Sequence, residues 1–250
     1  MDRSAIMHET HNFVSSTYKE DRLLIEDFLE RTAAEFGFGY GIQEIKGIAT
    51  RLKTHGDVFA NSLLSDPEYS LYCGLKIDKR RSEWLAGRIA AKKAYFQHSD
   101  TSFANLESSQ VSVLYQPSRA PYLVNYPDLN VSISHSHDYS VAVIASSNIG
   151  IDIEKIEPRP PSLARRFFSK AEYDHLEAVC FSSSDIDVQI TRFWSRKEAV
   201  SKHLQLGGSL DFRLLDTSQD VLNVDHKSNL PVRLISGRCD GYWISLAVSV

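Results

Sequence analysis

The chain has no basic excess, no long apolar run and no paired cysteines. Its 28 Lys and Arg stand against 32 Asp and Glu, a net charge of −4, which argues against a general nucleic-acid coat. The longest uninterrupted apolar run covers residues 141–145, far short of the roughly 20 needed to span a bilayer. Residues 1–17 are polar and lack the apolar core of a secretory signal. Cys73, Cys180 and Cys239 are odd in number and form no C-x-x-C pair, which suits reduced, mostly buried thiols in a cytoplasmic protein. G-x-x-x-x-G-K-[ST], G-x-G-x-x-G and G-x-S-x-G are absent, so the commonest nucleotide-binding and hydrolase signatures are removed.

What remains is an ordinary globular composition, 42% apolar and 24% charged over 250 residues, enough for one large domain or two small ones. Helical spacing of Leu24, Phe28 and Leu29 predicts a helix over 21–36, stopped by Gly37 and Gly39. A second helix is predicted over 83–97, with Ser82 as its N-cap. Pro117, Pro121 and Pro127 mark a loop between 115 and 128. Strands are predicted at 130–135, 139–145 and 149–156, and in the alternating tail Tyr242, Ile244, Leu246, Val248. Ser169-Lys170-Ala171-Glu172 reads as a capping box, and a longer helix follows over 187–206 before Gly207 and Gly208. Strands mixed with single helices give an α+β class.

Asp152 and Glu154 are two apart on an alternating strand and leave one face. Such a pair can converge on a hard cation, Mg²⁺ or Mn²⁺, or can simply be the polar face of a half-buried strand. Glu198 and Lys202 are four apart on the long helix, which gives either a surface ion pair or a third carboxylate with a phosphate-facing cation. His135 and His137 lack a third zinc ligand at suitable spacing. A histidine beside a Ser-rich turn is better explained as a donor to an anion.

Together these segments acquire meaning. Val131-Ser132-Ile133-Ser134-His135-Ser136, then Ile149-Gly150-Ile151-Asp152-Ile153-Glu154-Lys155, then Phe193-Trp194-Ser195-Arg196-Lys197-Glu198-Ala199 through Lys202 resemble the ordered signature of the surfactin-type 4′-phosphopantetheinyl transferases. Upstream, residues 80–88, Arg-Arg-Ser-Glu-Trp-Leu-Ala-Gly-Arg, resemble the family's early helix. The resemblance runs from about residue 76 to 208 and, more loosely, into the C-terminal strands.

The resemblance implies transfer of the phosphopantetheine arm of coenzyme A to a serine of an apo acyl- or peptidyl-carrier protein, releasing 3′,5′-ADP, in fatty-acid or secondary metabolism. Asp152, Glu154 and Glu198 match the metal ligands, for Mg²⁺ or Mn²⁺. Glu198 matches the residue usually assigned as base, and Lys202 matches the lysine on the pyrophosphate. Asp152 joins these two as catalytic. Arg81, Arg88, Arg119 and His135 match the 3′-phosphate ligands, with Ser134 near the pyrophosphate. The role of Lys197 is not specified. The implied fold is an internal pseudo-dimer of two α+β halves, 1–146 with an extra N-terminal helical segment and 147–250 carrying the metal ligands. A monomer that binds neither nucleic acid nor membrane is expected. Arg165, Arg166 and Lys170, beside Phe167 and Phe168, offer a basic and apolar dock for an acidic carrier, or a solvated loop with two anchoring rings. Two departures stand out. The family's Gly-Lys-Pro-type loop reads Ser118-Arg119-Ala120-Pro121, and His137 occupies a position usually held by glycine, which calls for a positive φ. A Mg²⁺-dependent phosphoesterase or nuclease and a catalytically inert binding module are the competing classes.

Overall fold

The computed structural model describes residues 16–99, 108–179, 183–206, 210–223 and 231–250. A long helix α1 (Ser16–Phe36) leads into strand β1 (Gly39–Glu44). Three short helices follow, α2 (Ile45–His55), α3 (Asp57–Leu63) and α4 (Asp66–Cys73), and then the long α5 (Asp78–His98). Strands β2 (Val113–Tyr115), β3 (Pro121–Leu123), β4 (Asn130–Ser136) and β5 (Tyr139–Ala145) complete a first antiparallel sheet, in the order β1-β5-β4-β3-β2. The second sheet is β6-β9-β8-β7, from β6 (Ile149–Lys155), β7 (Val221–Leu222), β8 (Val232–Cys239) and β9 (Tyr242–Ser249). Between β6 and β7 lie α6 (Pro161–Phe167), α7 (Lys170–Val179) and the long α8 (Ser183–His203). The class is α+β.

Each sheet carries one long helix across a face, α5 on β1 and β5 and α8 on β6 and β9. The approach is so close that glycine is required under both helices. A Cβ on Gly39 would lie 2.2 Å from the Ala94 carbonyl oxygen, and one on Gly150 would lie 2.0 Å from that of Ala199. The opposite faces share one core. Val141, Val143, Ile151, Ile153, Ile244 and Leu246 pack with Ile25, Phe28 and Leu29 of α1, each such burial contributing about 1.5–3 kcal/mol. Helix α1 touches β1 of the first sheet and β8 and β9 of the second. Helix α1 therefore packs against both sheets.

A second feature repeats. Glu68 closes the start of α4 by accepting the Ser65 N–H at 3.0 Å, and Glu172 closes α7 by accepting the Ser169 N–H at 2.8 Å. Each carboxylate also takes a buried lysine of the long helix at 2.7 Å, Lys92 or Lys197. Each accepts a backbone N–H from the segment beyond that helix, Val113 or Thr217. The capping box at 169–172 is thus present, and an unpredicted twin stands at Ser65–Glu68.

Other expectations are corrected. The second helix begins at Asp78, so Ser82 is an interior residue whose hydroxyl donates back to the Asp78 carbonyl at 3.0 Å. The proline-rich stretch contains β3, because Pro121 sits at the end of a short strand where no N–H is needed for the ladder. Strands β1 and β8 and helices α2 to α4 were not predicted. Cys73 is exposed, while Cys239 is buried; Cys180 and Gly207–Gly208 lie outside the described residues. No helix among the described residues is long and apolar enough to cross a membrane.

Candidate active site at the seam

Strand β6 is an edge strand, so its outward N–H groups have no ladder partner and need another acceptor. The serines of β4 provide it. Ser132, Ser134 and Ser136 alternate along one face. The Ile151 N–H donates to Ser132 Oγ at 3.0 Å and the Lys155 N–H donates to Ser136 Oγ at 3.0 Å. Between them, Ser134 Oγ donates to Asp152 Oδ1 at 2.8 Å. The Ser-x-Ser-x-Ser repeat is therefore a side-chain zipper that joins the two sheets and aims Asp152. Ser134, expected near a pyrophosphate, instead holds this carboxylate.

Asp152 is 3% exposed. Its Oδ1 also accepts from Lys202 Nζ at 2.7 Å, while its buried Oδ2 has no partner. Burial pushes this carboxyl above the usual range, against the pull of Lys202. Glu198, one turn before Lys202 on α8, is likewise raised by burial and opposed by Lys202. It is half-buried and makes no hydrogen bond or ion pair among the described residues. His135, at the end of β4, is half-exposed with Nε2 3.7 Å from Glu83 of α5. Burial lowers its pKa, Glu83 opposes the shift and Lys202 adds to it. His135 and Glu83 from the first half thus meet Asp152, Glu198 and Lys202 from the second. As expected, His137 has a positive φ, 50°; its ring faces Glu157 at 3.2 Å.

Glu154 is engaged elsewhere. Its Oε2 accepts from Arg159 Nη2 at 2.8 Å and its Oε1 from the Trp194 indole at 3.1 Å. The expected three-carboxylate cluster of Asp152, Glu154 and Glu198 is not gathered here, and no group of three or more His, Cys, Asp or Glu among the described residues is placed to hold a metal ion. Two of the three do fit a hard divalent cation. Asp152 Oδ2 is a buried acceptor without a donor, Glu198 is unpaired, and Mg²⁺ commonly takes one or two carboxylates and completes its shell with water and phosphate.

The cations expected from the first half are only partly available. Arg81 is tied to Asp57 and lies 4.3 Å over the Tyr72 ring. Arg88 is 2% exposed, sandwiched between Trp84 and Tyr115 at 4.3 and 4.5 Å, and 3.9 Å from Glu68. An arginine so enclosed is held by ring faces and not by solvent, and its Nε and Nη2 have no hydrogen-bond partner among the described residues. Arg119 is exposed at the β2–β3 turn with φ 69°. Sequence reasoning missed Glu83 and Arg159 as parts of the site. No local pattern links Glu83 to His135, since only the packing of α5 against β4 brings them together. Lys197, left without a role, is a buried structural cation.

The fold and the site define a duplicated α+β protein with one carboxylate-and-lysine centre at the seam of its halves. Known proteins resemble both segments of the chain. Residues 148–244 match the 4′-phosphopantetheinyl transferase superfamily and residues 75–145 match the 4′-phosphopantetheinyl transferase N-terminal domain. A Bacillus subtilis 4′-phosphopantetheinyl transferase is 37% identical over 126 residues, 49% of this chain and 50% of that one. The 4′-phosphopantetheinyl transferase AcpT of Salmonella typhimurium is 32% identical over 173 residues, 68% of this chain and 76% of that one. A holo-[acyl-carrier-protein] synthase of Streptococcus agalactiae is 32% identical over 111 residues, 43% of this chain and 92% of that one. The chain spans about half the length of two Bacillus subtilis relatives that it matches. It belongs to the 4′-phosphopantetheinyl transferase superfamily.

Proposed function

We propose that the protein transfers the 4′-phosphopantetheine arm of coenzyme A to a serine of an apo acyl- or peptidyl-carrier protein. The serine oxygen forms a bond to the phosphorus bearing the arm, the pyrophosphate bond breaks, and 3′,5′-ADP leaves. The observation that carries this reading is the seam itself, where Lys202 is bonded to a buried Asp152 and lies one turn after a half-buried Glu198 on α8, in a chain of this superfamily. Glu198 takes the serine proton, because burial without a donor makes its carboxylate a better base than an exposed glutamate. Lys202 places a fixed cation against the charge that develops on the pyrophosphate. Asp152 holds Lys202 and is itself held by Ser134.

Asp152 and Glu198 are the residues that would hold Mg²⁺ or Mn²⁺, which when bound neutralises pyrophosphate charge. His135 and the unspent donors of Arg88 support recognition of the coenzyme A 3′-phosphate, with Arg81 and Arg119 as outer cations. The carrier docks on α6, where Arg165 and Arg166 are exposed beside Phe167. The exposed Leu214 adds an apolar contact nearby. Lys170, paired with Asp174 at 2.6 Å, and the buried Phe168 take no part. The exposed thiol of Cys73 suits a cytoplasmic protein, and because the two halves are already joined in one chain the protein acts as a monomer.

The test is the intact mass of an apo carrier incubated with the protein, coenzyme A and Mg²⁺, beside a Glu198→Ala variant and an EDTA-treated sample. A gain of one phosphopantetheine, lost in both controls, is expected. No gain with fatty-acid and peptide-synthesis carriers, despite coenzyme A binding, would overturn transfer in favour of a binding module. Arg165→Glu with Arg166→Glu should raise KM for the carrier and leave coenzyme A affinity alone; both constants unchanged would refute the dock.

A further inference from the structure

Glu154 stands two residues from Asp152 on β6, and two residues of strand span about 7 Å. Its side chain is long enough to reach the cation that Asp152 would hold, so distance does not separate it from the other two carboxylates. Engagement does. Asp152 Oδ2 is buried without a donor, and Glu198 makes no hydrogen bond or ion pair among the described residues. Both oxygens of Glu154 are in use. Oε1 accepts from the Trp194 indole at 3.1 Å, and Oε2 accepts from Arg159 Nη2 at 2.8 Å with the Ser136 hydroxyl 3.4 Å away. The ion pair is largely withdrawn from water, with the Arg159 side chain 15% and that of Glu154 21% exposed.

Arg159 has little freedom to let go. It lies between Pro158 and the Pro160–Pro161 pair, which restrict the backbone on both sides. Its own N–H donates to Asp187 Oδ1 near the start of α8 at 3.2 Å, and its Nη2 also reaches the Lys155 carbonyl at 3.3 Å. Among the described residues Glu154 is the one carboxylate within ion-pair distance of this guanidinium, whose buried Nε has no partner. Moving Glu154 onto a cation would strip a mostly buried arginine of its counter-ion and the indole of its acceptor, and both losses oppose the move.

We propose that Arg159 reserves Glu154 and so limits the cation site of this chain to two carboxylates, Asp152 and Glu198. The inference rests on the function proposed above and departs from the three-carboxylate set expected from the sequence. A two-carboxylate site leaves the remaining positions around the cation to water and phosphate. Glu154 is then a positioning residue. It holds Trp194, whose ring meets Phe167 of α6 edge-on at 5.3 Å, and so ties the strand that carries Asp152 to the helix proposed to dock the carrier.

The probe is Mn²⁺, titrated into the full chain without coenzyme A or carrier, with free Mn²⁺ read by electron paramagnetic resonance. Asp152→Asn marks the loss of a ligand and should weaken binding at least about tenfold. Glu154→Gln with Arg159→Gln removes both members of the pair, leaves the net charge unchanged, and should bind within about twofold of wild type. Arg159→Gln alone frees Glu154 and should bind at least about threefold tighter. Circular dichroism checks that each variant is folded. A double variant as weak as Asp152→Asn, or an Arg159→Gln variant no tighter than wild type, would overturn the proposal and leave the transfer reaction standing. An Asp152→Asn variant with wild-type affinity would remove the cation from the seam, and this proposal with it.

Discussion

Lys197 adjoins the proposed base, yet its side chain points away from the seam into a fully buried ion pair. Lys197 and Glu172 are both 0% exposed, with Nζ and Oε2 2.7 Å apart. The ammonium also donates to the carbonyls of Phe212 and Leu215. Removing one member of a buried pair leaves the other charged and without its counter-ion, at a cost of about 3–5 kcal/mol. In Lys197→Met, Glu172 keeps the Ser169 N–H, the Thr217 N–H and the Thr217 hydroxyl, which places the loss near the lower end, about 3 kcal/mol. For a chain of this size that lowers Tm by about 6–12 °C. Lys92→Met removes the matching pair with Glu68 in the half that holds no carboxylate site, and a loss of the same order is expected there. Thermal unfolding followed by circular dichroism reads both variants, with transfer assayed well below each Tm. A Lys197→Met protein with wild-type Tm and no activity would refute the structural role and place Lys197 in the chemistry.

Four further outcomes are expected. Gly150→Ala places a methyl 2.0 Å from the Ala199 carbonyl, so α8 must shift; about 3 kcal/mol or more of stability and the transfer activity should be lost together. Gly39→Ala, 2.2 Å from the Ala94 carbonyl, should cost similar stability in a urea titration while the folded fraction keeps its rate. His203 is 2% exposed and burial holds its imidazole below the ordinary 6.5. The unfolded chain therefore takes up a proton that the folded chain resists, and stability falls as pH drops below about 6.5; Tm measured from pH 8 to 5 should show a shallower slope in His203→Gln. Ser132→Ala removes the acceptor of the Ile151 N–H and should cost about 1–3 kcal/mol in the same titration; a cost near zero would show that the serine zipper does not join the sheets.

The sequence displayed what is local and periodic. Strand β6 alternates Ile149, Ile151 and Ile153 against Gly150, Asp152 and Glu154, and the structure buries the three isoleucines in the shared core. The capping box at Ser169 is local for the same reason. What escaped notice depends on distant contacts. Strand β1 reads Gly-Tyr-Gly-Ile-Gln-Glu, a poor strand by propensity, and it forms because β5 pairs along its whole length while α5 demands its glycines. Arg88 was matched to a 3′-phosphate ligand, and its enclosure could not be read from the sequence because one enclosing ring, Tyr115, comes from another element. Glu154 looked like a metal ligand because Arg159 stands five residues on in a proline-rich stretch that carries no pairing signal. The Ser-x-Ser-x-Ser pattern of β4 was visible, but its task was not, since only the edge position of β6 gives those hydroxyls something to satisfy.

The duplication also explains why the candidate site has no counterpart in the first half among the described residues. Gly39 lies under Ala94 and His98 as Gly150 lies under Ala199 and His203, and Lys92 pairs with Glu68 as Lys197 does with Glu172. With these equivalences, Asp152, Glu154, Glu198 and Lys202 correspond to Gly41, Gln43, Lys93 and Gln97. Lys93 bonds Gln43 Oε1 at 2.8 Å and the Ile42 carbonyl at 3.1 Å, so a cation sits where the second half keeps its free carboxylate. Restoring the carboxylates would not restore a site. A Cβ at residue 41 would lie 2.1 Å from the Ala90 carbonyl, so α5 lies directly on the strand where α8 leaves room for Asp152. The partner strand is missing as well. Where β4 meets β6 at the working seam, the equivalent β8 and β1 are both covered by α1, whose Phe28 ring lies against Gly237. The first half is therefore packed where the second half holds the candidate centre, and contributes to that centre through His135, Glu83 and the serines that aim Asp152.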